Sequence, residues 1–165
     1  MEGRIMHTVC FTGHRHLQRD SLDLLAKRLA RSVRYAYEHG AREFRAGGAL
    51  GFDTLAALTV LDLKESCPDV RLSLYLPCRT QTRRWSERDR LIYGGILERA
   101  DEVTYTSEEY TEGCMLKRNR IMVEGSDACI AYCVSLEGGS AYTVRYAKSK
   151  GLTVWNLGLP AGKNE

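Results

Sequence analysis

Apolar residues in this chain alternate between short unbroken runs and longer stretches where they recur at helical spacing. Ile5 to Phe11 is an apolar run ended by Thr12-Gly13 and predicts a buried strand. From Asp20 to His39, Leu22, Leu25, Leu29, Val33 and Ala36 return at turn spacing, while Lys27, Arg28, Arg31 and Arg34 occupy other faces. Asp20 is the expected N-cap of that helix and Gly40 its stop. Glu43 to Ala46 predicts a second strand, and Phe52 to Ser66 a Leu- and Ala-rich helix closed by Pro68. Val70 to Leu76 comes next as a third strand, stopped by Pro77. A basic stretch from Arg79 to Arg90 leads into a helix through Leu91, Ile92, Ile96 and Leu97, weakened at Gly94-Gly95. Glu102 to Tyr105 predicts a strand, Leu116 to Glu124 a short helix, and Asp127 to Val134 the clearest strand of all. A helix from Ser140 to Lys150 and a last strand from Leu152 to Leu157 complete the pattern, with the tail beyond about residue 158 expected to fray.

Helices between strands are crossover connections, and these force parallel pairing with both sheet faces covered. The expected fold is therefore α/β: a Rossmann-like, doubly wound, mostly parallel sheet of about six strands. No linker, repeat or low-complexity segment divides residues 1–165, which predicts a single domain. Ligands are expected beyond the carboxyl ends of the strands.

Composition narrows the function classes. With 44% hydrophobic and 27% charged residues, the chain is ordinary globular protein. Its net charge of +3 is too small to argue for a nucleic-acid partner, though it suits a local anion. The apolar runs are strand-length, which argues against a membrane span, and Met1 to His7 lacks a signal-peptide region. Six cysteines without any Cys-x-x-Cys read as reduced thiols, with Cys10, Cys129 and Cys133 inside strands. A cytoplasmic protein without a metal site is expected.

The candidate chemistry lies in the loops at the carboxyl ends of the strands. After the first strand comes Thr12-Gly13-His14-Arg15, and after the second Gly47-Gly48-Ala49-Leu50-Gly51-Phe52-Asp53. Lys117-Arg118-Asn119-Arg120 comes after the fourth, and Gly138-Gly139-Ser140 comes after the fifth and opens a helix. Glycines before a helix let the backbone approach a ligand, and the amides and dipole of the first turn favour phosphate or carboxylate. Arg15 and Arg118 would add charge on the same rim. A Gly-x-Gly-x-x-Gly fingerprint is absent after the first strand. Asp53 is an N-cap for the second helix or a contact for ligand hydroxyls. His14 and His16 could serve metal or acid–base chemistry, but a histidine beside an arginine in a phosphate loop more often donates a hydrogen bond. Arg79, Arg83, Arg84, Arg88 and Arg90 with Trp85 could form a nucleic-acid patch. Glu87 and Asp89 interrupt that charge and favour a solvated helix entrance, with Trp85 packed.

Cys10-Phe11-Thr12-Gly13-His14-Arg15, Ala49-Leu50-Gly51-Phe52-Asp53, Arg84-Trp85, Gly113-Cys114-Met115-Leu116-Lys117-Arg118-Asn119-Arg120 and Gly138-Gly139-Ser140-Ala141-Tyr142-Thr143-Val144 occur in order. Together they resemble the YpsA-like branch of the SLOG superfamily, from about Cys10 to Leu157. The resemblance implies a Rossmann-like domain that binds or senses a nucleotide or ADP-ribose-like ligand, with no required cofactor. A homo-oligomer is compatible with it. Relatives named LOG are nucleoside-monophosphate phosphoribohydrolases, and Arg118 with Met122 resembles one element of their site. Their Pro-Gly-Gly-x-Gly-Thr-x-x-Glu loop is degraded here: Glu137 stands for the proline, Ala141-Tyr142 for Gly-Thr, and Val144 or Arg145 for the glutamate. Without that glutamate only Asp53 could supply an acid or base, and no catalytic residue is assigned. Single-stranded DNA binding, as in the related DprA proteins, is the remaining alternative.

Overall fold

The computed structural model describes residues 5–158, so the tail expected to fray lies outside the described residues. The chain runs β1 (Thr8–Gly13), α1 (Leu22–Glu38), β2 (Glu43–Ala46), α2 (Phe52–Ser66), β3 (Arg71–Leu76) and α3 (Glu87–Arg99). It continues through β4 (Glu102–Tyr105), α4 (Cys114–Val123), β5 (Ala128–Tyr132), α5 (Gly139–Ser149) and β6 (Thr153–Asn156). All strand pairs are parallel, in the order β4-β3-β2-β1-β5-β6. This is the expected α/β Rossmann-like fold. The chain builds outward from β1 to β4, then returns to lay β5 on the other side of β1. At that reversal the connections leave toward opposite faces and open a crevice at the strands' carboxyl ends.

Alternation along the strands divides the core. Val9 and Phe11 of β1 join Phe44, Leu72, Leu74 and Leu76 under α1, α2 and α3. Phe11 stacks on Phe44 at 6.0 Å and meets Phe52 edge-on at 6.3 Å. Cys10 points the other way, into a smaller core with Met122, Cys129, Ala141, Val144 and Ala147 beneath α4 and α5. Cys10 and Cys129 are register partners, and all six cysteines are free thiols. The hydrogen bond to Cys10, with burial, pushes the Cys129 thiol well above its ordinary range.

The differences from the expected boundaries have local causes. The first strand begins at Thr8 because the amides of His7 and Thr8 donate to Asp127 Oδ2, each at 2.9 Å. Upstream, the Met6 amide is held by the carbonyl of His39 at 3.1 Å, outside the ladder. The fifth strand stops at Tyr132 because Asn156 Oδ1 takes the Cys133 amide and His14 Nε2 takes that of Val134. Asp20 does not cap α1: it lies in a 3-10 turn, Arg19–Ser21, and Ser21 is the N-cap. Asp53 does not cap α2 either, since Gly51 holds that place and Asp53 lies in the first turn.

Candidate functional site

A cleft of about 980 Å³ lies over the crevice beside β1. Its inner wall comes from the loop after β1 and the starts of α2, α4 and α5, and its outer wall from the loop after β3 together with Tyr110. Thr12, Gly13, His14, Arg15, Asp53, Arg118, Gly138, Gly139 and Ser140 all line it, so the structure brings most of the expected site residues into one space. Gly47 and Gly48 are not on the lining; they pack beneath it.

Arg118 dominates the inner wall. It projects from α4 and is only 4% exposed. Its Nε donates to Asn119 Oδ1 at 2.8 Å, and Nη1 donates to the carbonyl of Gly47 and, at 3.4 Å, to that of Tyr75. One side chain thus ties α4 to the chain ends of β2 and β3. Among the described residues Nη2 meets only Met115 Sδ, at 4.0 Å, and thioether sulfur is a weak acceptor. Nη2 is the part of the guanidinium left for a ligand.

Asp53 is 6% exposed, and its Oδ2 accepts from the amide of Ala49 at 3.2 Å. Among the described residues Oδ1 accepts nothing. Burial raises the Asp53 carboxyl above the ordinary carboxylate value, while Arg118, the Ala49 amide and Arg15 pull it back. Burial likewise lowers Arg118, and Asp53 opposes that shift. The two groups attract across the site but form no direct ion pair. Both crowd Gly47: a Cβ there would lie 2.7 Å from Arg118 Nη1 and 2.8 Å from Asp53 Oδ2, so only a residue without a side chain leaves room for the two. Gly13 is tight for another reason, since its Cβ would fall 2.4 Å from the ring of Phe52.

On the same inner wall α5 starts at Gly139, with Gly138 as an N-cap that has no side chain to satisfy the first-turn amides. Those donors and the positive end of the helix dipole border the cleft. His14 staples the two central loops together. Its amide donates to the Tyr132 carbonyl at 3.2 Å, and Nε2 accepts from the Val134 amide at 2.8 Å, so the ring proton sits on Nδ1. His16 is exposed and not part of the lining. Among the described residues no group of three or more His, Cys, Asp and Glu side chains could hold a metal ion.

The outer wall uses the basic stretch selectively. Arg79 pairs with Glu108 at 3.0 Å and lies over the Tyr105 ring. Arg90 donates to the carbonyls of Thr82 and Arg83 at 3.1 and 2.6 Å, pinning the loop. Arg83 and Arg84 are exposed on the lining with no side-chain partner among the described residues, and Trp85 stands edge-on to Tyr93 at 5.4 Å. Ser86 caps α3, accepting from the Asp89 amide at 3.1 Å, so Glu87 and Asp89 belong to a helix entrance. Sequence reasoning did not single out Asn119, Thr143 or Gln81, which lines the cleft and donates to the Tyr93 hydroxyl at 3.1 Å. The first two stood inside family motifs without a role of their own, and Gln81 carried no signal, because what these residues do depends on which elements meet in space.

The model of the YspA SLOG family matches residues 9–153. UPF0398 proteins of Bacillus cereus (strain B4264) and Bacillus thuringiensis (strain Al Hakam) are each 32% identical over 133 residues, covering 79% of this chain and 72% of theirs. DNA processing protein A from Helicobacter pylori, a structure described for its single-stranded DNA binding mode, is similar in fold. Its TM-score is 0.67 at 21% identity, over 98% of this chain and 69% of that one. DprA from Streptococcus pneumoniae gives a TM-score of 0.69 at 16% identity, and this chain spans 53% of its length. No described helix is long and apolar enough to cross a membrane. With the family match spanning nearly the whole described chain, and its motifs meeting in one cleft, this protein belongs to the YspA SLOG family.

Proposed function

We propose that this protein is a binding domain for a phosphate-bearing, nucleotide-type ligand, such as a nucleotide or ADP-ribose, seated across the cleft. The observation that carries this is the pairing of a deeply buried arginine, Nη2 unspent, with the uncapped amides at the start of α5. A buried cation without a full partner set is costly, and a phosphate supplies the missing charge and acceptors. Asp53 Oδ1 then suits the hydroxyls of the sugar, as acidic residues in nucleotide sites do. A volume near 980 Å³ accommodates such a ligand.

The reading is one of binding rather than catalysis. The positions where LOG proteins place their glutamate hold Val144, buried in the smaller core, and Arg145, whose Nη1 donates to the Leu136 carbonyl at 3.1 Å. Nucleoside monophosphates are expected to keep their glycosidic bonds on incubation with the protein, and base release abolished by Asp53→Asn would reverse this. A second reading rests on exposed Arg83 and Arg84 beside Trp85: single-stranded DNA, with its backbone along the outer wall and a base on an aromatic ring. Thermal denaturation with a panel of nucleotides and with oligothymidylate separates the two. A nucleotide should raise Tm in proportion to the logarithm of its concentration. A shift from oligothymidylate alone, steeply salt-dependent, would select the second reading.

A further inference from the structure

Arg118 and the start of α5 belong to different helices, yet one chain of hydrogen bonds joins them. Arg118 Nε donates to Asn119 Oδ1 at 2.8 Å, Asn119 Nδ2 donates to Thr143 Oγ1 at 2.9 Å, and Thr143 Oγ1 donates to the carbonyl of Gly139 at 2.9 Å. A guanidinium only donates, so the direction of every link is set by its first member. The Asn119 amide has one orientation that serves both neighbours, and the Thr143 hydroxyl must pass its proton to Gly139. Gly139 is the first residue of α5. Thr143 is 2% exposed, on the helix that otherwise sends Ala141, Val144 and Ala147 into the smaller core. A valine would fill that space; the hydroxyl is there for its bonds.

We propose that Asn119 and Thr143 are positioning residues, which hold the Arg118 guanidinium in fixed register with the first-turn amides of α5 so that both address one phosphate. The proposal rests on the nucleotide reading above. It gives α4 and α5 a shared task. Neither the guanidinium nor the helix end would lose its charge if the link were cut, but the distance between them would no longer be set, and two preorganised donors would become two independent ones.

Calorimetric titration with ADP and with adenosine tests this. Thr143→Val should weaken ADP binding by about fivefold to tenfold, the loss expected for one hydrogen bond to a charged group. Adenosine, which has no phosphate, should bind as it does to the wild type, and Thr143→Ser should restore ADP affinity. Asn119 is only half-buried, so Asn119→Ala supplies the same comparison should Thr143→Val fail to fold. Wild-type ADP affinity in these variants, while Arg118→Gln binds it weakly, would overturn the positioning role and leave the nucleotide reading standing. An equal loss for ADP and adenosine would also overturn it, since that is what general loosening of the core produces. Unchanged ADP affinity in Arg118→Gln would instead remove the nucleotide reading itself.

Discussion

Arg118 on the inner wall of the cleft and Arg83 and Arg84 on the outer wall are held in opposite ways. Arg118 is 4% exposed and has spent Nε and Nη1 on neighbours. Arg83 and Arg84 are exposed, sit on a loop fastened by Arg90, and have no side-chain partners among the described residues. The inner cation has little rotamer freedom left to lose on binding, and it works where water screens poorly. The outer ones must be ordered by whatever they bind, against full screening. A fixed donor suits a small ligand with one pose, whereas exposed surface cations suit a polyanion that tolerates many.

The largest effect should come from removal of the inner cation. Arg118→Ala is expected to weaken nucleotide binding by roughly tenfold or more, because a charge-assisted contact contributes about 1.5–3 kcal/mol. Titration calorimetry measures this, and a change under threefold would erase the distinction between the walls. Gly47→Ala should come next. Its methyl group must displace the Arg118 guanidinium or the Asp53 carboxylate, an overpacking typically costing about 1–3 kcal/mol. Chemical denaturation should show that loss alongside weaker binding, and a fully stable Gly47→Ala would mean the gap is slack.

Asp53→Asn sharpens the comparison through pH. Burial raises the folded carboxyl above its ordinary value of 3.8, which the unfolded chain retains. Between those two values the folded protein holds more protons, so its stability falls as pH rises through the window and stays low above it. Asparagine keeps the bond to the Ala49 amide without the charge. Asp53→Asn should therefore be the more stable protein at neutral pH, with the gap closing as pH falls toward 4. Denaturant midpoints across that range read the gap directly, and one that widens in acid would contradict the sign. The smallest effects are expected from Arg83→Ala on the outer wall and from Arg88→Ala, exposed on α3 and off the lining, which should each keep nucleotide affinity within about threefold. Single-stranded DNA affinity lost in Arg83→Ala but untouched in Arg118→Ala would hand the site to the outer wall.

Much of the architecture was legible in the chain. Glu43–Ala46, Phe52–Ser66 and Glu102–Tyr105 are elements at the residues their patterns predict, because each is bounded by local punctuation such as glycine, proline or a change of period. The ends of β1 and β5 were not legible, since the groups that end them come from far along the chain: Asp127 reaches back to His7, and His14 reaches forward to Val134. The same divide runs through the site. Thr12 to Arg15, Asp53, Arg118 and Gly138 to Ser140 announce themselves as charges and glycines after strands. That two charges crowd Gly47, or that Thr143 serves Arg118, depends on α2, α4 and α5 meeting at one point, and no spacing in the sequence encodes that meeting.

The two charges that crowd Gly47 leave the site in a state of local frustration. Arg118 and Asp53 are the two deeply buried charges on the lining, and left to themselves they would neutralise each other. They crowd that glycine without pairing, and among the described residues Arg118 Nη2 meets only a thioether and Asp53 Oδ1 accepts nothing, so each is partly unanswered, a strain that the surrounding fold must carry. A visiting molecule that is anionic at one end and hydroxyl-bearing at the other would quiet both at once. Such a site resists closing on itself, and the protein should tighten measurably, with slower amide exchange at the starts of α2, α4 and α5, when it is filled.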